Sequence, residues 1–407
     1  MIIESLPNAP PQTIIVKPRV LLPGSKKSRF KQCIEICATA LIWIPLICYF
    51  MVLYSLATYF VYKILRCVSA SALSSGANPN SQAEAASSTN ITIWSYQTVL
   101  WGLIMLYAVY YYFDRGVEDR DGHETRFVRN WRLWDQYADF FPVQMILSDE
   151  LVKYSREQAG LSHEGNTNSF PGLPADRNYL VGYHPHGMFV VGVLVNFLTE
   201  ANCFSKTFPN LKPWVAGHHV QFFYPLYRDW LLYSGCTSVS REALLYHIDP
   251  DMNKNKGNFV VVVVGGAPEM LEAHPGRYVM YLKKRFGFFK LALETGSSLI
   301  PCISFGEPGI VGQVWNPPGS KLRRLQEFGM NFTRIPFPYP VFRYFFPVPR
   351  RKPINTVIGA PIPCERILNP TNEQVEEIKQ LYLERLEGLF KRYKDVYDPG
   401  ASEIVFI

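Results

Sequence analysis

Charged residues are scarce in this sequence: they make up 18% of the 407 positions, against 48% hydrophobic residues. The eight cysteines form no Cys-x-x-Cys pair, which argues against a zinc site of that kind and, at this length, against a disulfide scaffold. No Gly-x-Ser-x-Gly occurs, so the nucleophile elbow of serine lipases is missing. The net charge of +7 is diffuse, and no nucleic-acid-binding motif is present. We therefore expect an apolar-rich protein with reduced thiols and no nucleic-acid partner.

Two long stretches contain no charged residue at all, residues 36–62 and residues 91–113. Each is longer than the roughly 20 residues that a helix needs to cross the hydrocarbon core of a bilayer. The sequence therefore predicts a two-helix transmembrane hairpin. A cleaved signal peptide fits poorly, because the first stretch starts too late and lacks a small-residue cleavage site. A re-entrant wedge that dips into one leaflet remains open as an alternative.

Positive charge sets the expected orientation of the hairpin. Lysines and arginines cluster before the first stretch and after the second, whereas the connecting segment carries only Lys63 and Arg66, both at its membrane edge. The positive-inside rule then places both ends in the cytosol. The predicted parts are a cytosolic segment over 1–33, the hairpin over 34–113 with a luminal loop at 66–90, and a cytosolic domain over 114–407.

From residue 114 onward, short apolar strands alternate with helices. Four segments are typical of buried strands: NYLVGY, NFVVVVVGG, SLIPCISFG and NTVIGAPI,. Helix ends are marked by Gly235 and Gly296, and Thr371 with Gln374 forms a capping box that opens a long amphipathic helix,. This alternation predicts an α/β fold with a mainly parallel sheet flanked by helices. Ligand sites in such sheets lie beyond the carboxyl ends of strands.

His184 and His186 lie two residues apart, after a predicted strand and before a predicted helix. A helix N-terminus disfavours a second positive charge and so keeps an imidazole neutral, and a neutral imidazole can take a proton from a hydroxyl. Gly187 lets a substrate carbonyl come close to the backbone. Two other interpretations remain open: core histidines, or a His-x-His metal site to which His218 and His219 could add ligands.

Glu269 directly follows the valine-rich strand, in the segment GGAPEM. A carboxylate at a strand end can orient an imidazole or bind a substrate hydroxyl, although a solvated loop glutamate has the same appearance in sequence. The preceding Gly265 and Gly266 can present backbone N–H groups to an oxyanion, and they are also ordinary turn residues. Because no serine or cysteine stands in a recognisable nucleophile motif, direct transfer without a covalent intermediate is the more natural chemistry.

Several motifs resemble the type-2 diacylglycerol acyltransferase family, which includes monoacylglycerol and wax-alcohol acyltransferases. They are YHPHG at 183–187, RFGFFKLALETGSSLIPCISFGE at 285–307, RNWRLW at 129–134, DFFPV at 139–143, VVVGGAPE at 262–269 and SVSRE at 238–242. The long block at 285–307 makes the resemblance highly specific. The resemblance implies a glycerolipid-acyltransferase-like mixed sheet flanked by helices, preceded by the transmembrane hairpin, so that 114–407 is the acyltransferase domain.

The resemblance also implies an activity. Enzymes of this kind lie in the endoplasmic reticulum and transfer a fatty acyl group from acyl-CoA to a lipid hydroxyl. For this chain the expected acceptor is diacylglycerol and the expected product is triacylglycerol. His186 would be the base and His184 a supporting residue. Related glycerolipid acyltransferases carry an Asp five positions after the histidine, whereas this chain has Phe189 and Val191 at those positions. The orienting carboxylate must therefore come from elsewhere, and Glu269 is the candidate.

The expected substrate contacts comprise backbone groups for the oxyanion, cations for the CoA phosphates and the DFFPV motif. These residues are Gly187, Gly265, Gly266, Lys283, Lys284, Arg285, Phe140, Phe141 and Pro142. A solvated basic face is an equally good interpretation of the three cations. Phe140 stands where the family usually has tyrosine, which weakens any role for that hydroxyl.

The expected partners are fatty acyl-CoA as co-substrate, mono- or diacylglycerol, and the lipid bilayer, with no metal and no further cofactor. A homo-oligomer is compatible with the sequence, and lipid droplets are a second expected location. Three alternatives remain: a monoacylglycerol or wax-alcohol acyltransferase, a metal-dependent lipid hydrolase, and a non-catalytic hairpin protein that shapes membranes.

Overall fold

The structure is a computed structural model that describes residues 10, 13–16, 34–37, 39, 59, 87–161, 170–252, 256–333, 336–342 and 349–407. The chain divides into two compact units, Leu41–Val117 and the combination of Met1–Ala40 with Glu118–Ile407. Most of the first uncharged stretch and of the predicted luminal loop lies outside the described residues. The hairpin and its boundaries therefore stay a prediction.

The described part of the smaller unit includes the long helix α1 (Ser87–Phe113), which begins a few residues before the second uncharged stretch and ends with it. Large apolar side chains near its end, among them Met105, Leu106 and Phe113, are exposed. Among the helices in the described ranges, none combines the length and apolarity that a membrane crossing requires.

The larger unit is built around one large sheet and two small ones. Its strands are β1 (Ile14–Val16), β2 (Val143–Leu147), β3 (Tyr179–His184), β4 (Lys212–Gly217), β5 (Cys236–Ser238), β6 (Asn258–Val262), β7 (Tyr278–Met280), β8 (Ser298–Phe305), β9 (Gly312–Gln313), β10 (Pro340–Val341), β11 (Ile354–Ile358) and β12 (Ile404–Phe406). The four predicted strands are confirmed as β3, β6, β8 and β11.

The large sheet has the strand order β1-β2-β11-β8-β3-β6-β4-β5. The run from β8 to β5 is parallel throughout, as the alternating pattern predicts. On the other side of β8 the directions are mixed, because β11 runs antiparallel to β8 and β1 runs antiparallel to β2, as the mixed sheet implied by the resemblance allows. The sheet is therefore mixed, and β1 comes from the N-terminal segment that the sequence placed apart from the folded domain.

Helices of the larger unit cover both faces of the sheet. They are α2 (Arg126–Arg129), α3 (Arg132–Phe140), α4 (Asp149–Gln158), α5 (Val191–Val193), which continues as a π-helical turn at Leu194–Leu198, α6 (Phe204–Thr207), α7 (Tyr227–Ser234), α8 (Arg241–Ile248), α9 (Gly266–Met270), α10 (Phe286–Thr295), α11 (Lys321–Thr333) and α12 (Asn372–Tyr397). The predicted capping box is present, since Thr371 and Gln374 exchange both hydrogen bonds at the start of α12.

Two apolar clusters lie on opposite faces of the large sheet because successive strand residues point to opposite sides. On one face, Leu180 of β3 and Val260 of β6 pack beneath α10 and α12. On the other, Val181 and Val261 pack against Phe197 and its neighbours. The same alternation places His184, at the end of β3, on the face of Leu180 and α12.

Candidate active site

Three neighbouring strands bring the candidate residues together. The central strand β3 pairs in parallel with β6 on one side and β8 on the other. His186 follows β3, Glu269 follows β6 and Glu307 follows β8. Because parallel strands end at the same edge of a sheet, these three side chains come from one edge, which is where α/β proteins bind ligands.

His184 is the last residue of β3 and points into the core. Its Nε2 lies 3.0 Å from the Tyr382 hydroxyl of α12, and that hydroxyl donates to the carbonyl oxygen of Gly182 at 3.2 Å. Burial lowers the pKa of His184 to about 3, so the ring is neutral at physiological pH. Its Nδ1 is buried without a hydrogen-bond partner among the described residues. The supporting role that the resemblance implies for His184 stays a prediction.

His186 follows β3 and is partly exposed. Burial also lowers its pKa from the usual value, which favours the neutral imidazole. Its Nδ1 lies 3.1 Å from the carbonyl oxygen of Gly187. Since a carbonyl oxygen can only accept, this contact places the proton on Nδ1 and leaves a lone pair on Nε2. A neutral imidazole with a lone pair on its outer nitrogen is equipped to act as a general base.

Glu269 lies next to His186, and its contact is with the backbone. One carboxylate oxygen accepts the backbone N–H of His186 at 2.5 Å, and the other accepts the backbone N–H of Tyr281 at 3.0 Å. Burial raises the pKa of Glu269 to about 7, against the opposing effect of these hydrogen bonds and of Arg285. The sequence analysis expected a carboxylate that orients the imidazole ring. In the structure Glu269 instead holds the main chain that carries the ring.

Two glycines that follow strands, Gly187 and Gly265, make room for this arrangement. A Cβ added to Gly265 would lie 1.8 Å from a carboxylate oxygen of Glu269, and one added to Gly187 would lie 2.9 Å from Cγ of Glu307. Gly187 has φ +61° and Gly266 has φ +63°, a region that favours glycine. These positions require glycine for steric and conformational reasons, whether or not their N–H groups also face an oxyanion.

The three predicted cations are placed differently from one another. Arg285 donates to the carbonyl oxygen of Gly265 at 2.6 Å and so lies beside the glycine pair and Glu269. The side chains of Lys283 and Lys284 are exposed. The structure thus joins Arg285 to the site and leaves the two lysines on the adjoining surface.

The DFFPV motif lies at the end of α3, in the packed part of the molecule. Phe140 and Phe141 are buried, with ring centroids 4.8 Å apart. Phe140 also lies beneath the guanidinium of Arg351, and the carbonyl oxygen of Pro142 accepts the backbone N–H of Ile354 at 3.4 Å. These contacts are packing and sheet contacts around β2 and β11, and the predicted substrate role of the motif stays a prediction.

Glu307 is a site residue that the sequence analysis missed. It is fully buried, and it accepts hydrogen bonds from the Tyr183 hydroxyl at 2.9 Å and from the backbone of Val191 at 2.6 Å and Gly192 at 3.1 Å. Burial raises its pKa to about 7. A signal was present, because Glu307 directly follows a predicted strand and closes the segment at 285–307, but only the pairing of β8 with β3 shows what it contacts.

His218 and His219 lie beyond β4, with ring centroids 4.4 Å apart, and His218 caps the turn at His219–Phe223. Within the part of the chain that the structure describes, no three His, Cys, Asp or Glu side chains are grouped as metal ligands. The structure therefore gives these two histidines a local role in the turn.

Comparison with known proteins adds a family to this geometry. The sequence model of the family described as diacylglycerol acyltransferase matches residues 93–160 and 166–406. A 2-acylglycerol O-acyltransferase 1 from Bos taurus is 36% identical over 312 residues, which covers 75% of this chain and 86% of the relative. No solved structure matches the chain.

Relatives with a different named acceptor match at nearly the same level. A diacylglycerol O-acyltransferase 1 from Schizosaccharomyces pombe is 34% identical over 317 residues, which covers 75% of this chain and 84% of the relative. A diacylglycerol O-acyltransferase 2 from Danio rerio is 33% identical over 323 residues, with 78% and 82% coverage. The resemblance seen in the sequence motifs is thus confirmed over most of the chain: this protein is an acyltransferase and belongs to the diacylglycerol acyltransferase family.

Proposed function

We propose that this protein transfers a fatty acyl group from acyl-CoA to the hydroxyl of diacylglycerol and so forms triacylglycerol. The observation that carries the proposal is the state of His186: a neutral, partly exposed imidazole with its Nδ1 proton directed at the Gly187 carbonyl oxygen. Its outer nitrogen is therefore available to a hydroxyl at the carboxyl edge of the parallel strands. Relatives named for diacylglycerol support the choice of acceptor.

The chemical step needs no covalent enzyme intermediate. Nε2 of His186 takes the hydroxyl proton of the acceptor as its oxygen attacks the thioester carbon, and the carbonyl becomes an oxyanion. We assign stabilisation of that oxyanion to backbone N–H groups near Gly187, or near Gly265 and Gly266. The carbon–sulfur bond then breaks, and the CoA thiolate takes the proton back from the imidazolium.

The CoA portion of the donor fits the basic surface that precedes α10. Lys283 and Lys284 are exposed there, and Arg285 lies between them and the glycine pair. Cations of this kind form charge-assisted hydrogen bonds with phosphate oxygens. Phosphates bound by the lysines would leave the thioester end of the donor free to reach His186.

Monoacylglycerol is the second candidate acceptor. The relative from Bos taurus is named for a 2-acylglycerol, and its identity of 36% is close to that of the relatives named for diacylglycerol. A long-chain alcohol is a further candidate, since its hydroxyl would enter the same step. The choice among the three depends on how the acceptor is held, because the base is the same.

The membrane part of the proposal is a hairpin over 34–113, with both ends in the cytosol, in the endoplasmic reticulum. It is supported by the two uncharged stretches and the basic residues that flank them,. Protease treatment of sealed microsomes tests it: tags at both termini should be digested without detergent. A tag that stays protected would contradict the topology.

The acceptor proposal is tested with labelled oleoyl-CoA and purified full-length protein in detergent micelles. Diacylglycerol, monoacylglycerol and a long-chain alcohol are supplied in turn, and the labelled products are separated. We expect the highest kcat/KM with diacylglycerol. A higher value with either other acceptor would overturn the choice of substrate, and hydrolysis to free fatty acid without ester formation would overturn acyl transfer.

A further inference from the structure

Helix α11 is amphipathic in the reverse of the usual sense for a globular protein. The side that faces the protein carries polar residues, with Arg323 4% exposed and Gln326 1% exposed. The outward side carries Leu325, Phe328 and Phe332, and the two phenylalanines are 72% and 85% exposed. A surface helix in water normally turns its apolar stripe inward. This orientation therefore calls for an apolar medium outside the helix.

The buried polar side of α11 is held by specific partners. Arg323 donates to a carboxylate oxygen of Glu272 at 2.6 Å and to one of Glu327 at 2.8 Å. Gln326 accepts from the side-chain amide of Asn316 at 2.8 Å. These satisfied contacts fix the rotation of the helix, so its apolar side cannot turn inward without breaking them.

Two neighbouring segments lie beside α11, and we call their exposed apolar side chains, together with the apolar side of the helix, the outer face. The side-chain amide of Gln326 donates to the carbonyl oxygen of Phe337 at 3.0 Å, and the backbone of Val314 donates to that of Tyr339 at 3.0 Å. Phe337, Tyr339 and the adjacent Trp315 are exposed. An exposed apolar patch of this extent marks an interaction site rather than ordinary surface.

The chemistry around the outer face selects a lipid surface as its occupant. Lys321 and Arg324 are exposed on α11, and Glu327 is the sole acidic residue in the sequence from 320 to 342. The charges at the edge of the face are therefore basic and complement anionic headgroups. Trp315 and Tyr339 are the amphipathic rings that favour the bilayer interface.

We propose that the outer face of α11 lies in the headgroup region of a phospholipid bilayer, with Phe328 and Phe332 inserted among the acyl chains. This proposal rests on the proposed function, because the contact would bring the acyltransferase site to an acceptor held in the bilayer. The polar side of the same helix is joined to the site, because the Tyr281 hydroxyl contacts Arg323 while the Tyr281 backbone donates to Glu269.

Photo-crosslinking in microsomes tests this contact without a disruptive mutation. Benzoylphenylalanine is placed at position 328 or 332 of the full-length protein in membranes that contain radiolabelled phosphatidylcholine. The matched control is position 368, because Leu368 is also apolar and 67% exposed. After illumination we expect lipid label on the proteins substituted at 328 and 332, and none above background on the one substituted at 368.

Several outcomes would overturn the lipid contact. Equal labelling at 368, or no lipid label at 328 and 332, would contradict it. A dimer band or an adduct with another protein would identify a second copy or a protein partner instead. Because the readout is lipid attachment, a failure of the proposed acyl transfer would appear separately, in the assay with labelled oleoyl-CoA.

A second inference rests on Glu307, whose carboxylate accepts hydrogen bonds from four groups around the His-Pro-His-Gly turn. The donors are the Tyr183 hydroxyl before the turn, the backbones of Val191 and Gly192 after it, and the Ser304 hydroxyl at 3.1 Å from its own strand. We infer that Glu307 is a positioning residue, which fixes the turn so that Nε2 of His186 meets the acceptor hydroxyl.

The test compares turnover with substrate binding in two variants. Glu307→Gln should lower kcat by about 100-fold, the effect of a small misplacement of a catalytic group, with little change in the KM for acyl-CoA. Tyr183→Phe removes one of the four bonds and keeps the carboxylate, so its loss of kcat should be much smaller. Unchanged kcat per folded molecule in Glu307→Gln, or an equal loss in Tyr183→Phe, would contradict the inference.

Discussion

At the scale of single residues, the site depends on which atoms of His186 and Glu269 are engaged. Nδ1 of the imidazole lies against a carbonyl oxygen, which leaves a lone pair on Nε2, and the carboxylate of Glu269 holds the histidine through the main chain. Glu269 therefore contacts the main chain of His186 and not its ring. In this respect the site differs from triads in which a carboxylate contacts the ring.

Replacing Glu269 with glutamine tests the backbone contact. The amide NH2 cannot accept a hydrogen bond, so the N–H of either His186 or Tyr281 loses its partner, at a cost of about 1–3 kcal/mol. We expect kcat for acyl transfer to fall strongly. Glu387→Gln is the control, because Glu387 lies on the surface of α12 and pairs with Lys391. Equal rates in wild type and Glu269→Gln would remove Glu269 from the mechanism.

The buried His184 makes stability depend on pH. Its pKa is about 3 in the folded protein and near 6.5 in the unfolded chain, so the unfolded state binds more protons between these values. The contribution of the neutral His184 to the free energy of unfolding is complete above pH 6.5. It is lost as the pH falls towards 3, by about 1.4 kcal/mol per pH unit,. The raised pKa values of Glu269 and Glu307 act in the opposite direction.

Comparison with His184→Gln isolates this contribution, because both glutamates remain. The melting temperature is measured in detergent at about pH 7 and about pH 5. We expect the wild type to lose more stability on acidification than the variant does. The same loss in both proteins would show that His184 is not buried in the neutral form.

Residue identities were only partly predictable. His184, His186 and Glu269 could be found because each follows an apolar strand-like run in the sequence. Glu307 could not be assigned a role, since its partners Tyr183, Val191 and Gly192 lie more than 100 positions away along the chain and depend on the pairing of β8 with β3. Tyr382, the partner of His184, depends in the same way on how α12 packs.

Among the elements of the fold, the strands with continuous apolar runs were predictable from sequence, whereas β1 and the direction of β11 were not. β3, β6 and β8 are buried on both faces, and such strands have the clearest sequence pattern. β1 is three residues long and lies in a segment without that pattern. The antiparallel β11 looks like any other strand in sequence, because direction depends on the connections and not on composition.

Close packing between β3 and α12 requires a glycine at position 182. A Cβ added there would lie 2.1 Å from the Tyr382 hydroxyl, whereas one added to Gly388 of α12 would meet nothing within 4 Å. We expect Gly182→Ala to lower the free energy of unfolding by about 1–3 kcal/mol or more. Gly388→Ala should raise it by about 0.5–1 kcal/mol, because alanine is the better helix former.

Thermal unfolding of the two alanine variants provides the measurement. The paired design separates a general tolerance of Gly→Ala changes from a specific clash at β3. A Gly182→Ala protein with the melting temperature of the wild type would show that Tyr382 does not press against the strand.

At the scale of the whole molecule, the sequence was most informative about chemistry and family. The motifs around His186 and at 285–307 predicted an acyltransferase, and the comparisons confirm the family over most of the chain. The outer face of α11 was not predicted from sequence, because its meaning depends on which side of the helix is buried. Exposure of Phe328 and Phe332 becomes visible only when Arg323 and Gln326 are seen facing inward.

The proposed mechanism depends above all on His186 as the base of the acyl transfer. The most direct measurement is the transfer of labelled oleoyl-CoA to diacylglycerol by membranes that hold equal amounts of wild type and His186→Ala. Loss of a positioned general base should reduce the rate by about 100- to 10,000-fold, while the variant still inserts into membranes. A variant that inserts normally and keeps the wild-type rate would contradict the account.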